Sequence, residues 1–391
     1  LKKARELAPS DLDVRLKMAS ALSANGQISE ARMEAGRLLK QSPSSEDAIL
    51  LLAGAADSEE VHDVIEGLLK TYKEKNGETA AAHLASAKLS IPRDDTSAAL
   101  ADVNAALDLD PSLTEAYIVL GEIHSKTNSF DLAEQAFKAA SRRAPPRSMA
   151  HLKYAEFLDQ IGKREDAKDL LNKLTADTPD YLPAWLLSAR MALANGHFEE
   201  ALSDLQNIFL IDSTNSDARL LEGRVLLEYG QIDRAVSQLG SLSRFRPDLA
   251  VAKFYLAQAY DKKGNIALAS DTLREALLGD PDSLEMVLLM AEWDLRDGKV
   301  EQVASSMSEV VSDDPSNIQA QLLLAEACRK LGRPEVAVNI FNQQIEAFPN
   351  RPEPYLFLGM VLRQQGEIDR ARDSFTKALE LAPDNLQTLQ H

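Results

Sequence analysis

Residues 352–385 read PEPYLFLGMVLRQQGEIDRARDSFTKALELAPDN, a unit with a glycine at 366 parting two stretches and a proline at 383 near its end. That proline is the last rung of a ladder. Pro9, Pro43, Pro111, Pro145, Pro179, Pro247, Pro281, Pro315, Pro349 and Pro383 all fall on one 34-residue spacing, and only Gly77 and Ser213 break it. A fixed period of this length means one supersecondary unit copied many times, each copy packing on its neighbours rather than around one central core. Function is therefore expected on a long surface, not in a cleft.

The eighth place of each copy is small throughout: Ala19, Ala53, Ala87, Gly121, Ala155, Ala189, Gly223, Ala257, Ala291, Ala325 and Gly359. A small residue lets a first helix press closely on a second, which is a packing requirement. The twentieth place is Ala in most copies, with Ile65 and Val303 as departures. Between the two places stands a glycine in most copies, Gly162 and Gly366 among them, and Asn128 in one. Glycine tolerates the left-handed conformation that ends a helix. The second helices then open near Asp131, Glu165 or Asp233, whose charge suits a helix N-terminus.

In the last copy Tyr355, Leu358, Gly359, Leu362, Ala371, Phe375, Ala378 and Pro383 stand where the tetratricopeptide signature has its aromatic, Leu, Gly, aromatic, Ala, Phe, Ala and Pro, Leu362 being the departure. The chain thus resembles the tetratricopeptide-repeat (TPR) family. That resemblance implies an all-α fold, a right-handed α-α superhelix of about eleven complete helix-turn-helix repeats. Residues 12–385 are expected to form this solenoid, 1–11 to end a preceding repeat and 386–391 to start a following helix. The chain then starts and stops inside an array, as a fragment of a longer protein.

Irregular copies fall within 46–113. In one, Glu60 replaces the turn glycine and Asp57-Ser58 supplies a helix cap. In the next, Pro92 must end the first helix early, since proline lacks the amide and restricts the residue before it.

A net charge of −18, with 61 acidic against 43 basic residues, repels phosphate backbones and anionic headgroups, so nucleic-acid or membrane-surface binding is not expected. The basic stretch from Arg142 through Arg147 to Lys173 is interleaved with Glu156, Asp159, Glu165, Asp166 and Asp169 and reads as solvated surface. The lone Cys328 lies amid apolar neighbours and reads as a small buried hydrophobe. No stretch is long enough for a membrane span, and no signal peptide is visible.

The sequence holds no phosphate loop, dinucleotide fingerprint or nucleophile elbow. His83 and His151 occupy the fourth place, where other copies carry Tyr117, Trp185 or Tyr355, and read as packing residues rather than metal ligands. No catalytic residue, cofactor or metal is expected, and the chain is not read as an enzyme.

By the family resemblance, first helices line a concave groove that meets ligands at the second, fifth, sixth, ninth and twelfth places. The fifth place is apolar in every copy, including Leu152, Leu186, Leu220, Phe254, Leu288 and Leu322. Charged or polar residues edge it at the ninth place: Arg190, Arg224, Gln258, Glu292 and Glu326 among them. The Lys and Asn clamp of chaperone-carboxylate adaptors and the asparagine ladder of sugar-transferring arrays are both absent. These leucines either pack between neighbouring first helices or form a groove for an amphipathic helix or apolar segment, selected by the flanking charge. On the groove reading, Leu220→Asp with Phe254→Asp abolishes partner capture and leaves helicity intact.

Openings such as AQLLLAEACRKLG (319–331) and the final APDNLQTLQ resemble long bacterial TPR arrays of exopolysaccharide and PEP-CTERM/exosortase systems. That resemblance implies a periplasmic or membrane-anchored scaffold for polymer synthesis, export or protein sorting. The alternatives are a cytoplasmic targeting or regulatory arm of a larger enzyme, and a self-assembling array stacked head to tail.

Overall fold

The structure, a computed structural model, describes residues 11–24, 26–314 and 316–382. The rungs Pro9, Pro315 and Pro383, the end segment 386–391 and all of 1–11 except Asp11 lie outside the described residues. Among the described residues the chain is entirely helical and turn, and the helices fall in hairpins. These are α1 (Leu12–Ala24) with α2 (Ile28–Gln41), α3 (Glu46–Ala53) with α4 (Glu59–Asn76), α5 (Ala80–Ser90) with α6 (Thr96–Leu109), and α7 (Thr114–Lys126) with α8 (Phe130–Arg143). They continue as α9 (Met149–Gln160) with α10 (Arg164–Asp177), and α11 (Leu182–Ala194) with α12 (Phe198–Ile211). The rest are α13 (Ser216–Glu228) with α14 (Ile232–Phe245), α15 (Ala250–Lys262) with α16 (Ile266–Gly279), α17 (Leu284–Arg296) with α18 (Val300–Asp313), α19 (Ile318–Lys330) with α20 (Pro334–Ala347), and α21 (Pro352–Gln364) with α22 (Ile368–Leu381).

The chain divides into two compact units, Leu1–Ser213 and Thr214–His391, and the division falls at a rung that lacks its proline. Within each unit every extensive helix contact is inside a hairpin or between adjacent hairpins, as a stack of repeats requires. First helices touch the next first helix, for example α7 with α9 and α19 with α21, whereas second helices meet only first helices extensively. The more closely spaced layer lies on the inside of a curved stack, so the first helices form the inner face of each unit.

The turn residues behave as their chemistry demands. Gly26, Gly162, Gly196, Gly230, Gly264, Gly298, Gly332 and Gly366 all have φ between 71 and 85°, and Asn128 reaches 56° in the same place. In the third hairpin Asp94 takes that role at φ 59°. There α5 stops at Ser90, two residues before Pro92, and Asp95 caps α6 by accepting from the Ala98 amide at 3.0 Å. Ser58 likewise caps α4, accepting from the Val61 amide at 3.4 Å.

The proline ladder and the fourth place prove to be one device. Tyr117 donates its hydroxyl to the Pro111 carbonyl (3.3 Å), Tyr355 to Pro349 (3.2 Å) and the Trp185 indole to Pro179 (2.8 Å). His151 Nε2 is 3.1 Å from the Pro145 carbonyl, so this histidine substitutes for the aromatic donors. His83, beside the proline-free rung at Gly77, turns instead to Asp102 at 2.8 Å.

Candidate functional site

The fifth-place residues, expected to line a groove, are mostly consumed by packing. Leu152 is 4% exposed, Phe254 2% and Leu288 7%. Phe254 lies in a cluster with Ala257, Leu273, Met286 and Trp293, so it holds neighbouring hairpins together and presents no surface to a ligand. Leu186, Leu220 and Leu322 are half-buried at the same place of their repeats. Of the ninth-place residues, Arg190, Arg224 and Glu292 are exposed, and Gln258 and Glu326 half-buried. Leu152, Leu186 and Arg190 belong to the first unit and the other candidates to the second.

Several ninth-place groups are tied across to the next first helix. Glu122 takes the Lys153 ammonium at 3.3 Å, Arg224 lies over the Tyr255 ring at 4.9 Å, and Glu292 accepts from the Gln319 amide at 2.7 Å. Arg296 reaches back to Asp261 at 2.9 Å. These exposed contacts set register more than stability, since each contributes at most about 1 kcal/mol. The basic stretch after Arg142 is similarly neutralised: Arg147 pairs with Asp180 (2.6 Å), Lys163 with Glu134 (2.6 Å), Lys168 with Glu200 (2.7 Å), and Arg143 stacks on Tyr117.

A hollow opens on the inner face of the second unit. Between α19 and α21 a pocket of about 300 Å³ is lined by Leu322, Leu323, Phe341, Phe357, Met360 and Val361, with Leu295 at one side. Phe341 and Phe357 meet at 5.9 Å between ring centroids and build its wall. At its edge Arg329 donates through Nε and Nη2 to both Glu326 carboxylate oxygens, the Nε contact being 2.6 Å. Leu322 and Glu326 were singled out by their repeat places. Phe341 and Met360 were not, although Met360 is apolar at a ninth place that is charged or polar in every copy from Lys88 to Glu326.

The same register in the first unit, between α7 and α9, gives a hollow of about 290 Å³ of opposite character. Its lining includes Glu122, Lys126, Lys153 and Glu156 around Phe137 and Phe157, with Lys153 also 3.8 Å from Glu156. One scaffold position thus offers an apolar hollow in one unit and a charged one in the other.

Beneath this face the seventh and twenty-third places are also coupled. Burial pushes the Glu222 carboxyl up from its ordinary range, and Gln238 donates to it. Burial likewise raises Asp204, 9% exposed, which Ser188 partly compensates. A carboxyl whose folded pKa lies above its unfolded value of about 3.9 contributes stability below that value, and loses it as pH rises through the folded pKa. Asp204→Asn is therefore expected to raise the melting temperature of the Leu1–Ser213 unit at neutral pH and to flatten its decline above about pH 4. Thermal melts across that range check it, and an unchanged slope would sink the assignment.

Cys328 is buried, and burial raises its thiol pKa, in keeping with a packing role. Among the described residues no cluster of three or more His, Cys, Asp or Glu could hold a metal ion, and no helix is long and apolar enough to cross a membrane.

Family models of the tetratricopeptide repeat match residues 128–191, 192–253 and 294–361, with further repeat models over 93–148 and 352–385. No curated protein matches the chain. Among solved structures, YrrB, described as a TPR protein with an unusual peptide-binding site, aligns at 13% identity and a TM-score of 0.39, over 48% of this chain and 96% of that one. A MamA RS-1 ArsTM double mutant aligns at 17% identity and 0.39, over 44% and 97%. The matches indicate no enzyme family.

Proposed function

We propose that this chain, which belongs to the tetratricopeptide-repeat family, is a non-catalytic scaffold that captures a protein segment on the inner face of its second unit. The observation that carries this reading is the apolar hollow at Leu322, Phe357 and Met360 with the Glu326–Arg329 pair at its edge. An apolar side chain of the partner fills the hollow, and its flanking polar groups compete for the carboxylate and guanidinium, a division of labour common at anchored interfaces. Peptides selected from a display library against the full chain are expected to carry an apolar anchor, and to bind at least about tenfold more weakly to Met360→Asp while tolerating Met360→Leu. Equal affinity for the three proteins would overturn the site.

The setting we propose for this scaffold is bacterial exopolysaccharide synthesis or export, or envelope protein sorting, in the periplasm or at a membrane anchor. Its support is the style of the repeats, AQLLLAEACRKLG above all. A photo-crosslinking residue at Met360 in native cells tests the setting. Capture of polymer-secretion or sorting components is expected; capture only of a cytoplasmic catalytic domain, or of the chain itself, would replace it with a targeting arm or a self-assembling array.

A further inference from the structure

The second hairpin departs from the others in its helix lengths. Its first helix α3 ends at Ala53 after 8 residues, and α4 runs for 18. Arg93, from the turn after α5, donates to Glu59, Asp63 and Glu66 at 2.8–3.0 Å and fixes the acidic face of α4 to the third hairpin. The opposite stripe of α4, Val61, Val64, Ile65, Leu68 and Tyr72, is spaced as one helical face and turns toward α2.

Between α2 and α4 lies a trough of about 880 Å³. Its floor, Leu52, Ile65 and Tyr72, is buried, whereas its walls are not: Met33 is 54% exposed, Val64 64% and Leu68 37%. A contiguous apolar strip of this kind marks an interaction surface more often than an accident of composition. The trough between α18 and α20, about 600 Å³, occupies the equivalent place in the second unit and is also largely apolar, with Val311, Val336 and Ile340, but its polar places are Ser308, Ser312, Gln343 and Gln344 and no charged residue lines it. What sets the α2/α4 trough apart is therefore its basic rim.

Charge decides what fits. The rim carries Arg37, Lys40 and Lys75, and Glu60 is the one carboxylate among the lining residues, in a chain of net charge −18. Arg37 is held by Glu34 at 2.8 Å, while Lys40 and Lys75 are exposed and pair with no carboxylate among the described residues. The stripe from Val61 to Tyr72 spans about 16 Å, the length of roughly three helical turns. We propose that the trough between α2 and α4 is a second docking site, which takes an amphipathic helix with acidic flanks from a partner protein. The partner's apolar face covers Met33, Val64 and Leu68, and its carboxylates meet Lys40 and Lys75.

The test is a display library of helical peptides, apolar at i, i+3, i+4 and i+7 and randomised elsewhere, selected against the full chain. The expected winners are enriched in Asp and Glu beside the apolar stripe. They lose at least about tenfold in affinity to Val64→Glu and to Lys40→Glu with Lys75→Glu, and weaken with salt. Val64 is exposed, so its substitution leaves the fold intact, and Met360→Asp, in the other unit, leaves this binding unchanged. Winners with neutral or basic flanks, affinity unmoved by Val64→Glu, or an empty selection would each overturn the proposal. Dimerisation of the chain abolished by Val64→Glu, without peptide enrichment, would overturn it in favour of a second copy.

Discussion

Phe254→Ala is expected to destabilise the Thr214–His391 unit by roughly 3–5 kcal/mol, the range for removing a buried aromatic ring. The ring is 2% exposed and packs against Ala257, Leu273, Met286 and Trp293, so its removal opens a cavity where two hairpins meet. In a stack of repeats stability is a sum of units and nearest-neighbour interfaces, so the loss concentrates in α15, α16 and α17. Hydrogen exchange should accelerate there first, while α1–α12 keep their protection. Binding of peptides at the Met360 hollow should persist as long as α19–α21 stay folded. A variant of near-native stability that no longer binds would restore the ring to a ligand groove. The same burial corrects the expectation for Leu220→Asp with Phe254→Asp: a carboxylate at 254 would be enclosed without a partner, so helicity would fall along with binding.

The period announced the fold because packing in a solenoid repeats with the chain, and each copy states its own turn at residues such as Gly366 or Asn128. Periodicity could not show which apolar positions stay open. A first helix is apolar toward its own second helix and toward both neighbouring first helices, so the fifth, sixth and eighth places look alike in sequence. Leu288 is 7% exposed at the fifth place and Leu322 is half-buried at the same place one repeat later, a difference made by neighbours far along the chain. The Met360 hollow depends on Phe341, from a second helix, and so was only half legible. The α2/α4 trough was hidden by the framework itself, since irregular copies look like decay of the pattern. In the sequence its trace is the 59–76 stretch, free of a turn glycine and ending in Lys70, Lys73 and Lys75.

Gly223→Val should cost about 3 kcal/mol, the upper end for adding methyl groups to a filled interior. A Cβ at Gly223 would come within 2.3 Å of Leu239 Cδ2 and 2.5 Å of its Cγ, and Leu239 is fully buried. Two effects oppose each other here. Replacing a mid-helix glycine gains roughly 0.5–1 kcal/mol of backbone entropy, and the clash outweighs it. Gly240, in the adjoining second helix α14, separates the two effects, because a Cβ there meets only Leu256 Cδ1 at 4.0 Å. Gly240→Ala is therefore expected to stabilise the unit by roughly 0.5–1 kcal/mol, the opposite sign at a glycine of the same helical setting. Leu239→Ala in the Gly223→Val background should recover part of the loss, since it removes the atoms that the new side chain strikes. Chemical denaturation of the four proteins measures all of this. If Gly223→Val were as stable as the parent, the small eighth place would reflect composition alone, and the close approach of first and second helices would need another cause.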